Sequence, residues 1–153
     1  MSIVKIEIET AIRDLSWGSF QAGQKSLHTV LVDLTNQKIE SSYKTGHTEI
    51  LGFSVNSIRD GFKIAHAEFS SKTISFMAIG QTASAVRFMP NINYQFGFSV
   101  SQKKVYAFGW HDGYPSYKIS INGKPIYDHV QGWLGELFGD ADIDVPLIEY
   151  DIS

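Results

Sequence analysis

The densest grouping of chemically versatile side chains in this 153-residue chain is Gly109-Trp110-His111-Asp112-Gly113-Tyr114-Pro115-Ser116-Tyr117. An imidazole next to a carboxylate can take up and return a proton, and large aromatic rings stack on sugars. Asp112-Gly113 and Pro115 are turn formers, which predicts a projecting connection between two strands. Three readings follow. In the first, Trp110, His111, Asp112, Tyr114 and Tyr117, joined by Trp17 and Phe20, form a non-catalytic platform for a carbohydrate or a protein surface. In the second, His111 is the general base of a small hydrolase and Asp112 or Asp33 orients it or holds a metal. In the third the residues are structural: Asp112 caps the turn, His111 donates to a backbone carbonyl and Trp110 fills the core. Adjacency alone does not join His111 to Asp112, because neighbours on a strand point to opposite faces.

Other groupings carry less. Asp140, Asp142 and Asp144 alternate as carboxylates converging on calcium would, but Val145 stands where the sharp turn of a hand-type loop needs glycine. A surface acidic loop accounts for them better. His28, His47, His66, His111 and His129 lack the i, i+4 spacing of a helical zinc pair. There is no cysteine, no nucleophile elbow and no phosphate-binding glycine loop, so no cofactor is expected.

The elements that must position these residues read as strands. Val4, Ile6 and Ile8 alternate with Lys5, Glu7 and Glu9, the pattern of a half-buried strand. His28, Val30 and Val32 interleave with Leu27, Thr29 and Leu31, a strand apolar on both faces and therefore interior. Further strands are predicted over 38–45, 63–70 and 73–78. Tyr94 to Val100 and Lys104 to Gly109 form a hairpin. Tyr117, Ile119 and Ile121 lead into Asn122-Gly123, the signature of a type I′ turn. Pro125 lacks a ladder N–H, which sends the returning strand to a sheet edge. Trp133, Leu134, Leu137 and Phe138, followed by Gly139, predict one short helix over 130–138. The fold expected is all-β: an antiparallel two-sheet sandwich closed by that C-terminal helix, in one domain over residues 1–153.

Composition agrees. With 43% hydrophobic residues and ten Phe, seven Tyr and three Trp, the chain buries a sizeable core and is not disordered. A net charge of −3 and 13 Lys and Arg argue against a nucleic-acid partner. Charge is uneven: residues 1–124 carry nine acids against 13 bases, whereas seven acids and no base follow Lys124. The segment from about 128 is expected to pack against the basic body. No uncharged run is long and apolar enough for a membrane span, and the acidic start is unlike a signal peptide. That leaves a chain cytoplasmic as made or exported by a signal-independent route. Its oligomeric state is open, and self-pairing of the edge strand near Pro125 would make it an assembly subunit.

Gly109, His111-Asp112-Gly113, Pro115, Tyr117, Ile119 and Asn122-Gly123 together resemble the signature of a bacterial family of β-rich domains of unknown function, some exported or toxin-associated. Ser26, Thr29, Val30, Val32 and Asp33, and the run Pro90 to Tyr94, are similar to earlier blocks of that family. The resemblance spans most of residues 3–128 and implies architecture, not an activity.

Overall fold

The computed structural model describes residues 3–13, 23–47, 49–50, 53–54, 62–81, 93–113, 115–130 and 142–152. These form twelve strands: β1 (Ile3–Arg13), β2 (Gly23–Asp33), β3 (Lys38–His47), β4 (Glu49–Ile50), β5 (Phe53–Ser54), β6 (Lys63–Phe69), β7 (Ile74–Gln81), β8 (Asn93–Val100), β9 (Lys104–His111), β10 (Ser116–Ile121), β11 (Lys124–His129) and β12 (Ile143–Asp151). One five-stranded sheet has the order β11-β10-β1-β2-β3, the other β12-β9-β8-β7-β6, and β4 pairs with β5 in a small hairpin. Every pairing is antiparallel. The sequence expectation of two antiparallel sheets holds. No helix occurs among the described residues, and the helix expected over 130–138 falls, apart from Val130, outside them.

Alternation decides which side chains meet between the sheets. Val4, Ile6 and Ile8 of β1, Val30 and Val32 of β2, and Tyr117, Ile119 and Ile121 of β10 line one inner face. Phe76 of β7, Tyr94, Phe96 and Phe98 of β8, and Val105 and Ala107 of β9 line the other. Tyr94 and Phe96 stack at 5.0 Å and both meet Tyr117 edge-on, at 5.9 and 6.4 Å. These contacts tie the sheets together near their middle.

The turns follow their chemistry. Asn122 and Gly123 take left-handed φ values of 50° and 84° and return the chain in two residues. Asn122 Oδ1 accepts from the Lys5 N–H at 2.9 Å, docking the turn on β1. Pro125 lies on β11, an edge strand, as its missing donor requires. The acidic C-terminal segment is not a separate tail where it is described. As β12 it forms the other sheet's edge, with Asp144, Glu149 and Asp151 exposed and Glu149 paired to Lys104 of β9.

The projecting connection expected at 109–117 requires correction. β9 belongs to one sheet and β10 to the other, so the chain changes layer between His111 and Ser116, at one end of the sandwich. Gly113, Pro115 and Tyr117 are buried and Asp112 is half-buried, so the described part of this connection packs into the end of the sandwich.

Gly109, immediately before the crossover, has φ 144°, and a Cβ there would collide with the backbone carbonyl of Gln95. A Cβ at Gly123 would meet nothing within 4 Å. Gly109→Ala is therefore expected to cost about 2 kcal/mol or more of stability, and Gly123→Ala about 1 kcal/mol, from backbone conformation alone. Urea unfolding of the two variants beside the wild type measures the difference.

Candidate functional site

The end of the sandwich at the crossover gathers side chains from β8, β9, β10 and β11. Register places His111 opposite Tyr94 and Ile143, and Tyr117 opposite Thr10 and His129. His111 is fully buried, at 0% exposure, and its ring stacks on Tyr117 at 4.3 Å. Its Nδ1 lies 2.7 Å from the backbone carbonyl of Asp112. A carbonyl only accepts, so Nδ1 carries the proton and donates. That leaves Nε2 to accept from the Tyr127 hydroxyl at 2.6 Å. Both ring nitrogens are thus engaged, and neither bonds a carboxylate.

Asp112 is held by a different partner. Its N–H donates to the Asn93 carbonyl at 3.0 Å, and Asn93 Nδ2 donates to Asp112 Oδ2 at 3.0 Å. The Tyr117 hydroxyl donates to the same Asn93 carbonyl at 3.0 Å, and His129 Nε2 donates to the Gly113 carbonyl at 3.0 Å. Asn93 and His129 therefore fasten the crossover to both sheets. His111 and Asp112 are brought together, but as backbone carbonyl and imidazole. The structural role considered for this histidine, donation to a backbone carbonyl, matches the geometry.

A second buried imidazole sits deeper. His28 of β2 lies between the Tyr94 hydroxyl, 3.2 Å from Nδ1, and the Ser41 hydroxyl of β3, 2.9 Å from Nε2. A neutral ring donates through one nitrogen and accepts through the other, so both contacts are satisfied. Phe62 meets this ring edge-on at 5.9 Å and stacks on Tyr43 at 4.2 Å. Burial lowers both His28 and His111 to about 4; at His111 the neighbouring His129 adds to the effect. Burial likewise raises Tyr94 and Tyr117 far above the ordinary phenol range.

The remaining sequence candidates disperse. Asp33 is at the opposite end of β2, where it accepts from the Asn36 N–H at 3.0 Å and from Asn36 Nδ2 at 2.9 Å. Those bonds hold its carboxyl below the usual range. It lies five residues along the strand from His28, about 17 Å, and so is not assembled with His111. Asp142 and Asp144 are exposed, and no group of three or more His, Cys, Asp or Glu able to hold a metal ion occurs among the described residues. Trp17, Phe20, Tyr114 and Asp140 lie outside the described residues. Trp110 and Asp112 are half-buried, each with part of its surface in solvent.

These two line a depression of about 380 Å³ together with Asn93, Gln95, Ile79 and Asp142. One indole, two amides and two carboxylates thus share one concavity. A depression of about 400 Å³ at the opposite end is lined by Leu34, Lys72, Lys103 and several serines, without an aromatic ring. Sequence reasoning missed Asn93 and Gln95 as members of the site. Alternation along β8 was the available signal for Gln95, since it places that residue on the face opposite Tyr94 and Phe96.

No protein-family model matches the chain, and no curated protein matches it in sequence. Among the described residues no helix is long and apolar enough to cross a membrane.

The two imidazoles predict an acid dependence of stability. An unfolded histidine titrates near 6.5, and the folded ones near 4. Below about pH 6.5 the unfolded chain binds protons that the folded chain refuses, so stability falls as pH drops towards 4 and is fully present above 6.5. Each histidine contributes a slope of up to about 1.4 kcal/mol per pH unit. Urea midpoints measured from pH 7.5 to 4 test this, and His28→Gln is expected to flatten the curve.

Proposed function

We propose that this protein is a non-catalytic recognition domain whose ligand, a carbohydrate or a protein surface, is engaged at the Trp110 end of the sandwich. The observation that carries the reading is the depression where the Trp110 indole stands beside Asn93, Gln95, Asp112 and Asp142. An aromatic face flanked by amide donors and carboxylate acceptors provides both the apolar and the hydrogen-bonding half of saccharide recognition. Of the residues named for ligand contact, Trp110 and Asp112 reach this surface. His111 and Tyr117, 0% and 1% exposed, act by holding the crossover beneath it.

The hydrolase reading is less well supported. A general base needs a free lone pair within reach of a substrate proton, and that of His111 is taken by Tyr127 inside the core. The likeness of the Gly109 to Gly123 residues to a bacterial, partly toxin-associated family adds the setting: a component of an exported or toxin-related system.

An array of oligosaccharides and peptides probed with the full chain tests the reading. Trp110→Ala and Asp112→Asn are expected to weaken the captured ligand about tenfold each, a loss of about 1.4 kcal/mol, with thermal unfolding little changed for Asp112→Asn. A ligand held equally well by wild type and Trp110→Ala refutes the proposal.

A further inference from the structure

The same alternation that buries Val105, Ala107 and His111 turns Tyr106, Phe108 and Trp110 to the outer face of their sheet. Side chains at i, i+2 and i+4 on a strand recur about every 7 Å, so the three rings follow one another along the outer side of β9. Phe108, in the middle, is 46% exposed, an unusual position for a phenylalanine on a strand paired on both sides. Its partner in register on β8 is Gly97. A Cβ at Gly97 would lie 2.5 Å from Phe108 Cζ, so the far end of the ring reaches over the glycine. The ring therefore lies down on the sheet with its other face towards solvent, as a platform.

The row is bordered by hydrogen-bonding groups at matched levels. Gln95 is opposite Trp110 and Ser99 opposite Tyr106 on β8. Asp144 is opposite Trp110 and Glu149 opposite Tyr106 on β12. The irregularity of β12 between Val145 and Ile148 falls beside Phe108, where Leu147 is 65% exposed. At the Trp110 end the row opens into the depression containing Asp112 and Asp142.

We infer that the outer face of β9 is a run of saccharide subsites in which Trp110, Phe108 and Tyr106 stack successive units of one extended, uncharged polysaccharide chain. This deepens the recognition reading and rests on it. Flat rings along the strand receive the C–H faces of the chain, and the bordering amide, hydroxyl and carboxylates receive its hydroxyls. Glu149 is paired with Lys104, but the exposed Asp142 and Asp144 at the Trp110 end disfavour an anionic polymer there.

Retention of the full chain on insoluble cellulose and chitin, affinity electrophoresis through xylan, mannan and mixed-linkage glucan, and a heparin column test the inference. The expected result is retention by at least one uncharged polymer and not by heparin, with affinity for its oligosaccharides rising from one unit to three or four. Phe108→Ala and Tyr106→Ala should each weaken binding roughly tenfold, while Phe108→Tyr retains it and circular dichroism stays native. If Trp110→Ala loses the ligand but Phe108→Ala and Tyr106→Ala do not, recognition at the depression stands and the row is refuted. Failure of every uncharged polymer to bind refutes it too, as does a concentration-dependent dimer in light scattering that Phe108→Ala abolishes, which makes the face a contact between copies. Loss of ligand in all three alanine variants supports it.

Discussion

Two neutral imidazoles sealed between β-sheets impose the constraint on which this end of the molecule depends. A buried polar atom without a partner costs about 1 to 3 kcal/mol, so each ring nitrogen of His28 and His111 requires a bond of defined direction. His28 meets the requirement by bridging Tyr94 of one sheet and Ser41 of the other. His111 meets it by donating to the crossover backbone and accepting from Tyr127 across the layers. These bonds set the spacing and orientation of the sheets where apolar packing, which has no direction, leaves both free.

The network explains why the residues that look most reactive in the sequence are occupied with architecture. The crossover contains the buried Gly113 and Pro115, an aspartate whose backbone and side chain grip Asn93, and a histidine under its carbonyl. Once these groups are satisfied by one another, a substrate proton finds no free lone pair on His111. What stays available is the outward side of the same strands, where Trp110 and Phe108 have no layer above them among the described residues. A single strand, β9, thus supplies buried histidine chemistry to the core and aromatic surface to solvent, because successive residues point in opposite directions.

The acidic C-terminal segment illustrates how charge and strand pairing combine. β12 hides Val145 and turns Asp144, Glu149 and Asp151 outward. Pro146 and the irregular register beside it interrupt this edge, as Pro125 and a shift between Ile119 and Ser120 interrupt β11. Both devices discourage unwanted strand addition. The segment that composition marks as distinct is therefore an integral strand whose acids also shape the potential beside the aromatic row.

Local pattern was sufficient for much of this protein. Alternation of Val4, Ile6 and Ile8, the Asn122-Gly123 turn and the edge placement of Pro125 were legible because each depends on neighbours one to four residues away. The all-β class followed from the same short-range rules. Which sheet each strand joins was not legible, since β9 and β10 are close in sequence yet lie in different layers, and pairing is settled by long-range contact. That one fact makes the expected projecting loop a connection between layers and makes His111 and Tyr117 core groups, while Asp33 lies at the far end of β2. Asn93 and Tyr127 join the site only through tertiary contact. Sequence alone determined the elements and the alternation of their faces; tertiary structure decided which face each chemical group shares, because burial depends on the layer packed opposite.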